Sequence, residues 1–147
     1  RYFRSLSPRN CRIGNNPFRK GLDVDKSLID VTGAVHALRQ FAQEREWQQF
    51  HSPKNLVMAL SGEVGELTEI FQWMTEADSH SAASNPKTAS AVRDELADVA
   101  LYLIRLADVL DVDLNAAIAS KLASNAAKYP VEASRGVSTK YDQLPEP

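Results

Sequence analysis

Two acidic stretches decide the fold: Leu-Ser-Gly-Glu-Val-Gly-Glu-Leu at residues 60–67 and Arg-Asp-Glu-Leu-Ala-Asp-Val at residues 93–99. Each carries two carboxylates three residues apart, a spacing that places them on one face of a helix. Two such helices packed together gather four like charges, which repel unless a cation or protons compensate. Mg²⁺ prefers oxygen ligands and takes phosphate oxygens of a substrate as further ligands. The pattern therefore predicts a magnesium site that handles phosphates.

Either acidic pair alone is more typical of a solvated helix face than of a metal site, because glutamate is a good helix former and usually lies on such a face. The second pair favours the metal hypothesis, since it precedes the most apolar helix of the chain, where a charge on the inner face needs a partner. A di-iron bundle is not indicated, because it needs Glu-x-x-His on two helices. None of the three histidines stands three residues after a glutamate.

Four helices are predicted from the apolar spacing, and no β pattern of useful length appears. The first begins after Asp25 or Ser27 and ends near residue 50. The second begins at Pro53, capped by Ser52, and ends near residue 74. The third spans residues 88–110 and is predicted to be the buried centre of the assembly. The fourth begins after Asp113 and ends near residue 128, so the fold class is an all-α, four-helix bundle.

The domain organisation follows from composition. Residues 1–24 are predicted to form an irregular basic arm, residues 25–130 the helical domain and residues 131–147 an irregular tail. A polar loop is predicted over residues 75–87. The basic start is equally typical of a transit-peptide remnant and of a disordered tail, and an incomplete upstream sequence would explain it as well.

Charge and cysteine content exclude several function classes. Residues 1–21 carry +6 and the other residues −8, and this acidic body argues against nucleic acid as the main partner. No run of residues is long and apolar enough for a membrane span. The single cysteine excludes an internal disulfide framework and favours a reducing compartment, so the cytoplasm is expected.

Two tryptophans and a basic face extend the predicted site. Trp73 shares a helical stripe with the first carboxylate pair and would lie roughly 10–15 Å along the axis from it, about the reach of a nucleotide from phosphates to base. An indole at that position can stack on the base, although ordinary core packing is the commoner role; Trp47 is similar. Phosphate-binding candidates recur near the end of the fourth helix, at Lys121, Asn125, Lys128 and Tyr129. Gly62 and Gly65 are expected to allow close helix approach.

Three stretches carry a resemblance to a known family: residues 56–73, residues 94–103 and the Lys-Leu-Ala-Ser-Asn-Ala-Ala-Lys-Tyr-Pro of residues 121–130. Together they resemble the MazG-like all-α nucleoside triphosphate pyrophosphohydrolases. The preceding Arg-Glu-Trp-Gln-Gln-Phe-His-Ser-Pro-Lys-Asn-Leu of residues 45–56 looks like the dCTP pyrophosphatase branch of that family.

The resemblance implies Mg²⁺-dependent hydrolysis of dCTP, or of modified dCTP, to dCMP and pyrophosphate in nucleotide-pool sanitation. It implies a metal and catalytic set of Glu63, Glu66, Glu95 and Asp98. It places the nucleotide at Trp47, His51, Trp73 and Tyr102, and the phosphates near Lys121, Asn125, Lys128 and Tyr129. It also implies a homo-oligomer, a dimer or a tetramer. The alternatives are a broader deoxynucleotide or dUTP pyrophosphatase and a non-catalytic nucleotide-binding bundle.

Overall fold

The computed structural model describes residues 27–143, so the whole region predicted as a basic arm and the last four residues of the predicted tail lie outside the described residues. Within that range every regular element is helical and no strand is formed, which confirms the all-α class. The α-helices are α1 Thr32–Glu44, α2 Pro53–Phe71, α3 Glu76–Ser79, α4 Ala89–Val109, α5 Leu114–Lys128 and α6 Val131–Ser134. Two short 3₁₀ helices span Trp47–Phe50 and Tyr141–Gln143.

Two of the predicted helix caps are confirmed. The Asn55 N–H donates to Ser52 Oγ at 3.2 Å, which fixes the start of α2, and the Ala116 N–H donates to Asp113 Oδ1 at 2.9 Å, which fixes the start of α5. Such caps satisfy backbone donors that have no partner inside the helix. The sequence thus located the starts of the two helices that follow these caps.

The prediction for the first helix was wrong at both ends. Helix α1 begins at Thr32, whose N–H donates to Asp30 Oδ1 at 2.9 Å. The preceding residues do not join the helix but bind α5: the N–H groups of Leu28 and Ile29 donate to Asn115 Oδ1 at 2.8 and 3.2 Å. The helix ends at Glu44, and Glu46 has a left-handed φ of 54°, a conformation that an α-helix cannot continue through.

Helices α2 and α4 form the principal helix pair, and α1 packs on α4, whereas α5 makes little contact with them. The four long helices are therefore present, but one chain does not close them into a complete bundle. Few apolar residues are buried within residues 27–143: Ala42, Leu56, Ala82, Val92 and Ala107.

Helix α4 is not buried throughout in the single chain, contrary to the expectation from its apolar sequence. Leu96, Leu101 and Leu103 remain exposed. Gly62 and Gly65 also face open space, since a Cβ at either would meet nothing within 4 Å. The close approach expected at these glycines does not occur within one chain. No helix in the described range is long and apolar enough to cross a membrane.

Candidate active site

Three carboxylates from two helices converge at the α2–α4 contact. One oxygen from each of Glu63, Glu66 and Glu95 lies within 4.8 Å of the other two. Burial raises the pKa of Glu63, and the charges of Glu66 and Asp98 raise it further. Burial is also the largest cause of the raised pKa of Glu95, followed by Glu66 and Glu63. The cluster is thus electrostatically unfavourable as it stands.

The donor set fits a hard divalent cation. All three ligands are carboxylate oxygens, the type that Mg²⁺ prefers. Glu95 Oε2 is buried and accepts no hydrogen bond from any residue in the described range. A buried acceptor without a partner is uncommon in folded proteins, and an ion or a water molecule commonly satisfies such an atom. The cluster can therefore hold a metal ion.

Asp98 stands beside this trio rather than within it. It lies one helical turn after Glu95, and its charge contributes to the raised pKa of both Glu63 and Glu95. It also lines an adjacent pocket. Asp98 therefore connects the acidic cluster to that pocket, and the two form one continuous site.

The pocket has a volume of about 280 Å³ and opens between α1, the 3₁₀ helix Trp47–Phe50 and α4. Three of the side chains predicted to contact the nucleotide, Trp47, His51 and Tyr102, come together here. The pocket is also lined by Leu38, a position that the family resemblance places near the base. Four further lining residues were not singled out from the sequence for the site: Phe41, Leu56, Leu101 and Arg105. Apolar and aromatic walls with a few polar groups are typical of a small-molecule site.

The aromatic wall is fixed by local contacts. Phe41 and Trp47 meet edge to face with ring centroids 5.8 Å apart, and the Arg45 guanidinium lies 3.6 Å from the centre of the Phe41 ring. Asn55 donates from Nδ2 to the carbonyl of Phe50 at 3.0 Å. The break at Glu46 thus brings Trp47 into contact with Phe41. The hydrogen bond from Asn55 at the start of α2 holds the 3₁₀ helix Trp47–Phe50 in this position.

A series of polar contacts supports the side of the pocket that His51 and Arg105 line. Arg105 donates from Nε to His51 Nδ1 at 3.2 Å and pairs through Nη1 with Asp108. Arg39 pairs with the same carboxylate, donating from Nη2 to Oδ1 and from Nε to both oxygens of Asp108. Hydrogen bonds from Arg39 are the largest cause of the lowered pKa of Asp108. Burial, followed by the charge of Arg105, lowers the pKa of His51.

Five predicted site residues do not reach this pocket within one chain. Trp73 is 88% exposed, because α2 ends at Phe71 and the helical stripe that would have aimed the indole does not continue. The others lie on or just after α5: Lys121, Asn125, Lys128 and Tyr129. Tyr129 meets the Tyr141 ring edge to face at 6.1 Å, and the Lys128 Nζ lies 5.1 Å from the centre of that ring.

Of the residues that sequence reasoning missed, Arg105 alone had a signal. It follows Glu95, Asp98 and Tyr102 on one polar stripe of an otherwise apolar helix, at steps of 3, 4 and 3. Phe41 and Leu56 sit at ordinary apolar positions of their helices, so nothing separated them from core residues.

The fold and the site define a class: an all-α protein with a carboxylate cluster able to hold a metal ion beside an aromatic pocket. A family model, the MazG-like family, matches residues 58–144, and the chain belongs to this family. It is 50% identical over 121 residues to dCTP pyrophosphatase 1 of Rattus norvegicus, covering 82% of this chain and 69% of that protein. It is 43% identical over 129 residues to dCTP pyrophosphatase 1 of Homo sapiens, covering 88% and 74%.

A solved structure supports the fold assignment. The crystal structure of a pyrophosphatase from Archaeoglobus fulgidus superimposes with a TM-score of 0.62 at 37% sequence identity. The match covers 67% of this chain and 90% of the archaeal one.

Proposed function

We propose that this chain is an Mg²⁺-dependent nucleoside triphosphate pyrophosphohydrolase that converts dCTP, or modified dCTP, to dCMP and pyrophosphate. The observation that carries the proposal is the convergence of Glu63, Glu66 and Glu95 next to an aromatic pocket, with Asp98 shared between them. The names of the mammalian relatives support the choice of nucleotide.

Glu63, Glu66, Glu95 and Asp98 are the residues that would hold Mg²⁺, which when bound neutralises phosphate oxygens and lowers the pKa of a coordinated water. Trp47 and Tyr102 supply flat surfaces on which a base can stack. Glu66 is the exposed member of the carboxylate trio and the candidate to accept a proton from the attacking water. The reaction breaks the bond between the α- and β-phosphates by addition of water.

The working protein is proposed to be a homo-oligomer, a dimer or a tetramer. The open face at Gly62 and Gly65, the exposed leucines of α4 and the small buried core all leave apolar surface for a second copy to cover. The exposed Trp73 and the basic residues of α5 would then complete the pocket of a neighbouring chain. Sedimentation of the full chain tests the assembly, and Trp73→Ala should lower nucleotide affinity without unfolding the protein.

A broader range of deoxynucleotides, including dUTP, is the second candidate. It is favoured by the pocket walls, because Leu38, Phe41 and Leu101 offer a base no side-chain hydrogen bonds. Few polar groups mean weak discrimination between bases that differ only in their edges.

One experiment separates these possibilities: pyrophosphate release measured over a panel of deoxynucleoside triphosphates, with and without Mg²⁺. Release that depends on Mg²⁺ and is fastest with dCTP supports the proposal. Similar release from all pyrimidine triphosphates supports the broader range. A melting shift with a non-hydrolysable triphosphate but no release from any substrate would indicate the non-catalytic binding bundle.

A further inference from the structure

Two polar side chains on α4 are largely buried and lie outside the residues to which the proposed reaction assigns a role. The side chains of Arg105 and Asp108 are 11% and 6% exposed, and they contact each other one helical turn apart. Arg39 on α1 pairs with the same carboxylate. The carboxylate therefore fixes the Arg105 guanidinium from one side, while the Nε edge of that guanidinium faces His51.

The contact between Arg105 and His51 has a definite chemical direction. A guanidinium can only donate hydrogen bonds, so His51 Nδ1 must accept, and a ring nitrogen that accepts carries no proton. The proton of a neutral ring then resides on Nε2, at the opposite edge. His51 lines the pocket, and since its Nδ1 is occupied by Arg105, the ring nitrogen left for a ligand is Nε2, an N–H donor.

We propose that Asp108 and Arg105 are positioning residues that fix His51 as a hydrogen-bond donor, through Nε2–H, to an acceptor oxygen of the bound nucleotide. The proposal rests on the nucleotide function proposed above. A ring held in this way rejects a ligand that presents only a donor at that place, so the network contributes to selectivity as well as to affinity. The lowered pKa of His51 agrees with a neutral ring.

The first test is spectroscopic and needs no turnover. Long-range ¹H–¹⁵N spectra of the imidazole rings show which nitrogen carries the proton, and His51→Gln identifies its signals among the three histidines of the chain. The expected wild-type spectrum of His51 is that of a single Nε2–H form. Asp108→Asn and Arg105→Lys should both give the averaged signals of an unrestrained ring. A wild-type spectrum with the proton on Nδ1, or one that neither variant changes, would overturn the proposal.

The second test separates positioning from general structural support. Arg105→Lys and Asp108→Asn should raise KM roughly 3- to 10-fold, the loss expected for one hydrogen bond, with a smaller change in kcat. Since Asp108 is proposed to act through His51, the Asp108→Asn/His51→Gln double variant should be no worse than His51→Gln alone. Additive losses would contradict the proposal. Asp111→Asn, with the same charge change at an exposed site, is the matched control, and melting curves verify folding of each variant.

The acceptor oxygen belongs either to the base or to a phosphate, and two probes distinguish these sources. If it belongs to the base, Arg105→Lys weakens the binding of deoxycytidine and not that of inorganic triphosphate; if it belongs to a phosphate, the reverse holds. Unchanged binding of both probes refutes the role of the network in ligand binding. The proposed reaction fails separately, if no triphosphate is hydrolysed while the His51 spectrum and its response to the variants are as expected.

Discussion

Helix α4 carries carboxylates in two opposite electrostatic situations. Near its start, Glu95 faces the two glutamates of α2, and none of these three forms an ion pair with a residue of the 27–143 range. Near its end, Asp108 lies between Arg39 and Arg105. The pKa of Glu95 is raised, chiefly by burial and then by like charges, whereas the pKa of Asp108 is lowered, chiefly by hydrogen bonds from Arg39.

The difference separates a group that the fold satisfies from one that it leaves for a ligand. Asp108 has its compensating charge inside the chain, so its contribution is to stability and to the positioning of neighbours. Glu95 has a buried oxygen without a partner in the described range, so no group of residues 27–143 compensates it and a bound cation is able to do so. Perturbed carboxylates of this second kind are typical of functional sites.

The largest effect on activity is expected near the start of α4, where Glu95 has no partner in the described range. Glu95→Gln should lower kcat for pyrophosphate release by roughly 10²- to 10³-fold, the loss typical of removing one electrostatic contributor to a transition state. Its melting temperature should not fall, because the substitution removes like-charge repulsion. Glu69→Gln, an exposed change on α2, is the matched control and should retain full activity. Activity within tenfold of the wild type for Glu95→Gln would contradict a metal role for this residue.

Near the end of α4, substitution of Asp108 should lower stability instead. Asp108→Ala should destabilise the protein by about 3 kcal/mol in urea unfolding, near the low end for breaking a buried ion pair, because two arginines lose their partner. The double variant Asp108→Ala/Arg105→Met should recover part of this loss, since it removes the buried cation as well. A double variant as unstable as, or less stable than, the single one would show that the pair is not the cause.

Solution pH provides a smaller test of the same contrast. A carboxyl whose folded pKa is raised favours the folded state at low pH and loses that contribution as pH rises. Stability should therefore fall as pH increases from the ordinary carboxyl value of 4.5 through the raised pKa values of Glu63 and Glu95. The contribution of Asp108 has the opposite sign, because its pKa is lowered: it is present above 3.8 and is lost as pH falls through the folded value.

Melting curves between pH 4 and pH 8 measure this dependence. Mg²⁺ should reduce the loss at high pH, and should stabilise the folded protein by about 1 kcal/mol at five times its dissociation constant. Glu95→Gln should flatten the dependence and weaken the response to Mg²⁺. A wild-type curve that rises steadily between pH 4.5 and pH 8 without metal would contradict the raised pKa values.

The sequence predicted what depends on short spacing. The Glu63–Glu66 pair and the caps at Ser52 and Asp113 follow from positions within one helical turn, where the backbone alone fixes the geometry. The meeting of Glu95 with the α2 glutamates needed one further assumption, that two apolar helices with internal acids pack together. That assumption holds in the structure.

What the sequence could not predict depends on where a chain turns or on distant contacts. The chain breaks at Glu46, which has a left-handed backbone although it is not a glycine, so the sequence gives no signal for the break. The break nevertheless brings Trp47 into contact with Phe41. Arg105 and His51 are 54 residues apart in sequence, so their hydrogen bond forms only when the folded chain brings α4 next to the residue that follows the 3₁₀ helix Trp47–Phe50. Trp73 lies outside the pocket of its own chain, because the helical stripe on which its predicted position depended ends at Phe71, so its role at the nucleotide stays a prediction.

The smallest expected effect distinguishes the two arginines that pair with Asp108. Arg39 is 60% exposed, so solvent screens its attraction to Asp108, whereas Arg105 is largely buried. Arg39→Gln should therefore lower stability much less than Asp108→Ala, and it should leave the His51 spectrum unchanged because Arg105 keeps its partner. Urea unfolding and the imidazole spectrum measure the two effects. A loss equal to that of Asp108→Ala would mean that Asp108 depends on the outer arginine, and that Arg105 alone cannot hold the carboxylate.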